Sequence, residues 1–250
     1  MLNKKNYLLH TFCGLELQAF YATAKKFDLT SFEVLGDGKV LFEGEESQIR
    51  KFEGFSNFSL FKAKKHFRDQ TIEEALRKTQ EVSFKKHDFR QPFRVNCQWA
   101  WGEPLGFKIK DLEKEIVKSL ETELNLSFDL KNFQSSLRVD VAPENLYFSL
   151  EDKEIMLRNH RPKIFNIPES MNRNLASIMV YMANVQKNER VLDAFCGAGT
   201  LSDEISKRTN CIVALDKSEK IIEGVKKNIK NHFVELFCSN LSQCLARTRR

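Results

Sequence analysis

The sequence predicts an α/β protein, and three observations carry that prediction. Helical and strand patterns alternate over the first 150 residues. A Pro-punctuated stretch around residues 160–168 interrupts them. The last sixty residues then read strand, glycine loop, helix, strand, helix, strand. That β-α-β-α-β order is the opening half of a doubly wound sheet. The segments expected are 1–60, 61–151, 152–189 and 190–250.

Composition narrows the class. Across 250 residues, 42% are hydrophobic and 30% charged, a globular composition rather than a disordered one. Forty Lys+Arg against 34 Asp+Glu leave +6, which permits an anionic partner without making the chain a polycation. No apolar run nears the ~20 residues of a membrane span, and Met1–Asn6 leads into no secretory apolar core. No membrane partner is therefore expected. Six cysteines (Cys13, Cys97, Cys196, Cys211, Cys238, Cys244) form no CxxC pair. Neither a metal site nor a disulfide framework is indicated, so the reducing cytoplasm is the expected location. The 21 phenylalanines read as core.

The elements follow in order. Tyr7 to Phe12 is strand-like, and Leu15, Ala19, Ala22 and Ala24 to Phe27 fit one helical face. Phe32, Val34, Val40 and Phe42 alternate around Gly36-Asp37-Gly38, a hairpin turn that uses glycine's tolerance of positive φ. Thr71 opens the next helix as a cap, with Glu74 expected to reach back to it as a capping box. Ile72, Ala75, Leu76, Thr79 and Val82 then recur at helical spacing. Phe93, Val95 and Cys97 alternate as a strand. Leu112, Ile116, Leu120 and Leu124 mark a second helix from about Asp111. Leu137–Val141 and Leu146–Leu150 are two more strands, joined at Pro143-Glu144-Asn145. After the prolines, Asn172 or Asn174 can cap a helix carrying Leu175, Ile178, Met179 and Met182.

The last segment bears the chemistry. Val191–Phe195 is a short strand and Cys196-Gly197-Ala198-Gly199-Thr200 a tight loop, followed by a helix expected to reach about Thr209. A second strand ends in Asp216, an amphipathic helix carries Ile221, Ile222, Val225 and Ile229, and Val234–Cys238 is a third strand. A glycine loop between strand and helix brings backbone N–H groups close to a ligand. The Lys of a triphosphate-binding P-loop is missing, and Ser202 stands where a dinucleotide fingerprint has its third glycine. S-adenosylmethionine remains, a ligand with a sulfonium, an ammonium and a carboxylate but no pyrophosphate. Asp193 at the first strand end suits those cations, and Asp216 can accept ribose hydroxyls. The plainer alternative is that both acids only cap helices.

The segment Asp193-Ala-Phe-Cys-Gly-Ala-Gly-Thr200 resembles motif I of class I methyltransferases, above all RNA guanine methyltransferases. The stretch from Pro168 through Met171-Asn172-Arg173-Asn174-Leu175-Ala176 resembles the helix start that precedes that motif in the same group. Phe93-Arg-Val-Asn96 through Leu157-Arg158-Asn159-His160-Arg161 resembles a THUMP domain. Tyr7 to Phe42 resembles the ferredoxin-like unit found before THUMP. The resemblance implies a ferredoxin-like unit (1–60), a THUMP RNA-binding domain (61–151), a linker and lead-in helix (152–189) and a Rossmann-like methyltransferase segment (190–250). It implies methyl transfer from S-adenosylmethionine to the exocyclic amino group of a tRNA guanosine. Asp193, Phe195, Gly197 and Gly199 would surround the methionine part of the cofactor. Asp216 would hold the ribose. Asn240 falls where the family has an acid accepting from the adenine amino group, and its carbonyl accepts as well.

The family also carries an Asp/Asn-Pro-Pro-aromatic motif on a fourth strand, which presents the target amino group. It does not occur in this sequence, so no catalytic residue is assigned and the chain reads as truncated. Without that strand, Val191–Phe195 is expected to be an edge and the segment weakly stable, unless a second chain completes the sheet. A non-catalytic RNA-binding protein with a vestigial cofactor fold is the rival reading.

The positive charge is concentrated. Residues 51–100 hold 11 Lys+Arg against 6 Asp+Glu, while residues 101–150 hold 6 against 9. Lys62, Lys64 and Lys65 with Arg68, and Lys85, Lys86, Arg90 and Arg94, are the RNA-binding candidates. The second cluster is interleaved with Phe84, Phe89 and Phe93, which can stack on bases or fill the core. One of Trp99 and Trp101 is expected in the core.

Overall fold

The computed structural model describes residues 4–24, 32–49, 52, 54–101, 106–153, 164–229 and 233–239. The chain divides into two compact units, Met1–Leu17 with Phe27–His160 and Gln18–Lys26 with Arg161–Arg250. The architecture is mixed α/β. No helix among the described residues is long and apolar enough to cross a membrane.

The first unit is built on one seven-stranded sheet in the order β2-β3-β1-β4-β7-β6-β5. Its strands are β1 (Lys5–His10), β2 (Phe32–Gly36), β3 (Lys39–Gly44), β4 (Asn57–His66), β5 (Phe93–Trp99), β6 (Ser135–Val141) and β7 (Asn145–Asp152). Only β5 and β6 pair in parallel. The hairpin β2–β3 forms around Gly36, Asp37 and Gly38, all at positive φ. The ten-residue β4 pairs with β1 through Asn57–Leu60 and with β7 through Leu60–His66. The sheet therefore runs unbroken through residue 60, where the sequence suggested a boundary.

One face of the sheet carries α3 (Ile72–Gln80) and α4 (Ile109–Leu124) over a core including Phe67, Phe93, Leu112, Ile116, Leu137 and Phe148. Phe89 and Phe93 lie in that core and Phe84 packs against it, so the interleaved phenylalanines fill the interior. Trp99 packs on the same core. Trp101 is exposed, and its indole N–H donates to Asp37 Oδ1. Thr71 caps α3 by accepting the Glu74 N–H. The expected reciprocal bond from Glu74 is not made. Its carboxylate instead accepts three N–H groups of the incoming turn, from Arg68, Asp69 and Gln70. Those donors lie beyond the cap, and Gln70 at φ 54 turns them inward.

The other face is polar and curled. The His10 ring approaches Asp140 at 3.6 Å and Lys39 Nζ approaches it at 3.7 Å. In a flat sheet β1 and β6, with β4 and β7 between them, would be roughly 14 Å apart at ~4.8 Å per strand. The sheet closes around a buried set of charges. Arg138 bonds Asp140 through Nε and a second guanidinium nitrogen at 2.9 and 3.0 Å, and reaches Glu151 Oε1 at 3.2 Å. Burial raises the Asp140 carboxyl, but Arg138, then His10 and Lys39, hold it well below the usual carboxylate range. Burial pushes Glu151 upward.

The second unit contains a three-stranded parallel sheet, order β10-β9-β8, with β8 (Arg190–Asp193), β9 (Cys211–Asp216) and β10 (Val234–Cys238). Its helices are α5 (Arg173–Met182), α6 (Thr200–Ile205) and α7 (Glu219–Asn228). Asn172 is the cap of α5, accepting the N–H groups of Asn174 and Leu175. The expected helix to Thr209 stops at Ile205, and the Thr209 hydroxyl turns back to the Glu189 carbonyl at 2.7 Å. The short helices α1 (Glu16–Ala24) and α2 (Glu46–Ile49) and a 3-10 turn at Lys86–Asp88 are also described. Glu16 accepts the Gly38 N–H at the hairpin tip.

Candidate functional site

Asp193 and Asp216 are the last residues of adjacent parallel strands, β8 and β9. The carboxyl edge of a parallel sheet is where α/β folds receive ligands. The loop after β8 is shaped by two residues in the left-handed region, Gly197 (φ 51) and Gly199 (φ 76). Gly199 is required twice over. A Cβ there would meet Val225 Cγ1 at 2.8 Å, besides the backbone strain of a side chain at that φ. The loop is tied to β9 by the Cys196 N–H donating to the Leu215 carbonyl at 2.8 Å, and closed by Gly199 N–H to the Cys196 carbonyl at 2.7 Å.

Asp193 is 8% exposed, and its Oδ2 accepts the hydroxyl of Ser202 at 2.6 Å. Ser202 is fully buried in the first turn of α6. The residue that departs from the dinucleotide fingerprint is thus the one that orients the acid. Asp216 Oδ1 accepts the Ser218 N–H at 2.9 Å, while Ser218 caps α7. Burial, then the nearby Asp193 and Asp216 carboxylates, push the Cys196 thiol up to about 12. Both acids therefore act on the same loop, and the thiol stays protonated near neutrality. Phe195 is 78% exposed on that loop. Asn240 lies outside the described residues.

The arrangement fits a methyl donor of the S-adenosylmethionine type. Two positive-φ glycines bend the loop at the strand end, and two carboxylates at neighbouring strand ends offer acceptors for cationic and hydroxyl groups. Sequence reasoning missed, among others, two supports around this loop. One is Ser202, visible only as a serine at the third-glycine position. The other is Arg173, which pairs with Asp203 at 3.1 Å and links α5 to α6. Among the described residues, no group of three or more His, Cys, Asp or Glu could hold a metal ion.

The basic candidates lie in the first unit and differ in their engagement. Lys62 pairs with Asp88, Lys65 with Glu81, and Arg90 with Asp152. Lys64 donates to the Leu35 carbonyl and stands over the Tyr147 ring. The Arg94 guanidinium lies 3.9 Å from the centre of the Phe133 ring. Lys85 and Lys86 are exposed around the turn Lys86–Asp88. The Arg90 pair is at the surface, where such a pair contributes little and can be exchanged for a phosphate contact, whereas the Lys62–Asp88 pair is largely buried.

Residues 158–245 match the family described as UPF0020, RMKL-like, methyltransferase domain. A tRNA (guanine(10)-N2)-dimethyltransferase of Methanothermobacter thermautotrophicus is 24% identical over 164 residues, covering 63% of this chain and 47% of that protein. A tRNA (guanine(6)-N2)-methyltransferase of Methanocaldococcus jannaschii is 24% identical over 174 residues, 51% of this chain and 46% of that protein. The chain thus spans about half the length of these curated relatives. The crystal structure of TrmN from Thermus thermophilus superposes with a TM-score of 0.70 at 20% identity, over 97% of this chain and 75% of that one. The methyltransferase resemblance read from motif I is borne out by these matches.

Proposed function

We propose that the chain, whose residues 158–245 match the UPF0020 methyltransferase-domain family, is a THUMP-type RNA methyltransferase acting with S-adenosylmethionine on a tRNA guanosine. Residues 1–60 would be its ferredoxin-like unit and 61–151 its THUMP domain. The observation that carries the reading is the pair Asp193 and Asp216 at adjacent strand ends, astride a loop with two left-handed glycines.

In this reading Asp193, Phe195, Gly197 and Gly199 hold the methionine part of the cofactor and Asp216 the ribose. Asn240 would serve the adenine. The bound cofactor supplies an electrophilic methyl group on a sulfonium. The chain's own part is positional. Ser202 fixes the Asp193 carboxylate so that it need not reorganise when a cation arrives, and the exposed Phe195 ring offers an apolar surface beside the loop. Lys62, Lys64, Lys65, Lys85, Lys86, Arg90 and Arg94 would neutralise RNA phosphates. The relatives named as guanine N2-methyltransferases support the exocyclic amino group as the acceptor.

Incorporation of tritiated methyl groups from S-adenosylmethionine into unmodified tRNA tests the proposal. Label in N2-methylguanosine after nuclease digestion is the expected result, from the chain alone or once a fragment carrying an Asp/Asn-Pro-Pro-aromatic strand is added. Label confined to another nucleoside would overturn the acceptor assignment, and a chain that neither binds the donor nor transfers label would overturn the reading as a whole.

A further inference from the structure

Asn228, the last residue of α7, touches two segments far from it in sequence. Its Oδ1 accepts the Phe165 N–H at 2.9 Å. Its Nδ2 donates to the Phe165 carbonyl at 2.6 Å and to the Ala198 carbonyl at 2.9 Å. Both amide hydrogens are used and the amide oxygen is engaged. Turning the amide over would set its oxygen against two carbonyls, so the orientation is fixed by chemistry.

The two bonded segments meet at the glycine loop. Ala198 is 3% exposed and lies between Gly197 and Gly199. A buried carbonyl needs a donor, and Asn228 supplies it. On the other side, the Phe165 ring lies so close to Gly224 that a Cβ there would come within 2.4 Å of it. Two residues on, Ile167 Cδ1 stands 3.6 Å from where a Cβ on Gly197 would be. Asn228 and Gly224 together seat Phe165–Ile167 on α7, and that segment borders the loop at Gly197.

We propose that Asn228 is a positioning residue. Through the Ala198 carbonyl and the Phe165 backbone it holds the glycine loop, and the Ile167 wall beside it, in the shape that receives the methyl donor. This rests on the reading of the loop as the S-adenosylmethionine site. Asn228 acts on the donor only through the backbone it holds.

The test measures S-adenosylhomocysteine binding to the 250-residue chain by calorimetry, with thermal melts by circular dichroism alongside. Asn228→Ala removes all three bonds. Asn228→Asp keeps the acceptor for Phe165 but turns a carboxylate on two carbonyls, and regains one O–H donor when protonated. At about pH 8 both variants are expected to bind at least about tenfold more weakly. At about pH 5.5 the Asp variant should recover most of its loss, because the two carbonyls raise its carboxyl pKa, while the Ala variant recovers none. Affinities within about twofold of the parent at about pH 8 would overturn the proposal. So would an Asp variant that stays as weak at the lower pH, or binding losses that only track the fall in melting temperature, as a merely structural side chain would give. If Asn228→Ala does not fold, the pH profile of Asn228→Asp decides. A parent chain that binds no S-adenosylhomocysteine would instead overturn the underlying reading of the loop.

Discussion

Every residue of β6 is buried, on both faces of its sheet, whereas in β8 only Asp193 is. The first unit closes seven strands over an apolar core on one side and a balanced set of charges on the other. In the second unit Leu192 and Phe237 are 44% and 45% exposed, although parallel strands are ordinarily covered on both faces. Among the described residues β8 pairs with β9 alone. The contrast teaches where each unit keeps its geometry. The first relies on depth of burial. The second holds its loop by specific hydrogen bonds, from Ser202 to Asp193 and from Asn228 to Ala198.

The largest effect should come from breaking the buried charges. Arg138→Ala strips Asp140 of its two guanidinium bonds and Glu151 of its ion pair, leaving Lys39 and His10 facing Asp140, and is expected to cost ~3–5 kcal/mol, measured by urea denaturation. A loss under ~1 kcal/mol would mean that water reaches those carboxylates and that the first unit is not closed as described.

Hydrogen exchange compares the two sheets directly. The amides of Val191–Asp193 should exchange at least ~100-fold faster than those of Leu137–Val141. Equal protection would erase the contrast.

Within the second unit, Gly199→Ala forces a side chain into positive φ and against Val225. The expected cost is about 2 kcal/mol, seen in the melting of that unit and in weakened donor binding. An unaltered melt would show that the loop has room to shift.

The smallest effect concerns His10. Burial, then Arg138, holds its imidazole well below the usual value, with Asp140 opposing and Lys39 assisting. The folded state keeps the ring neutral, while the unfolded chain takes up a proton below about pH 6.5. Its contribution is therefore present above that pH and is lost as pH falls toward the folded pKa. Asp140, held low, loses its contribution only in stronger acid, below about pH 4. Glu151, raised by burial, works in the opposite direction. His10→Asn should flatten the fall in stability between about pH 6.5 and 5 by up to ~1.4 kcal/mol per pH unit. Parallel pH profiles for the two proteins would remove His10 from the account.

Much of the site was legible because its parts lie close together in the chain. Asp193, the two glycines and Asp216 announce a strand-loop-helix-strand unit by spacing alone. Thr71 and Asn172 were readable as caps for the same reason, since a cap and its helix are neighbours. What stayed hidden depends on folding distant segments together. Asn228 lies 30 residues from Ala198 and 63 from Phe165. The meeting of His10 with Asp140 requires both the strand order and the curl of the sheet. Glu74 shows a local failure, because a carboxylate at the third helical position can take the donors of the preceding turn as readily as that of the cap. The joining of the first 60 residues to the next 90 was likewise invisible, since nothing in β4's own sequence says that it serves two neighbours.

The claim beneath all of this is that the acids astride the loop select a methyl donor. Calorimetric titration of the chain with S-adenosylmethionine and, separately, with NADH tests it most directly, repeated on Asp193→Asn and Asp216→Asn. The account predicts that the parent binds the methyl donor, that each substitution weakens that binding, and that NADH gives no heat. Saturable NADH binding that depends on the same two carboxylates, with none for S-adenosylmethionine, would contradict it.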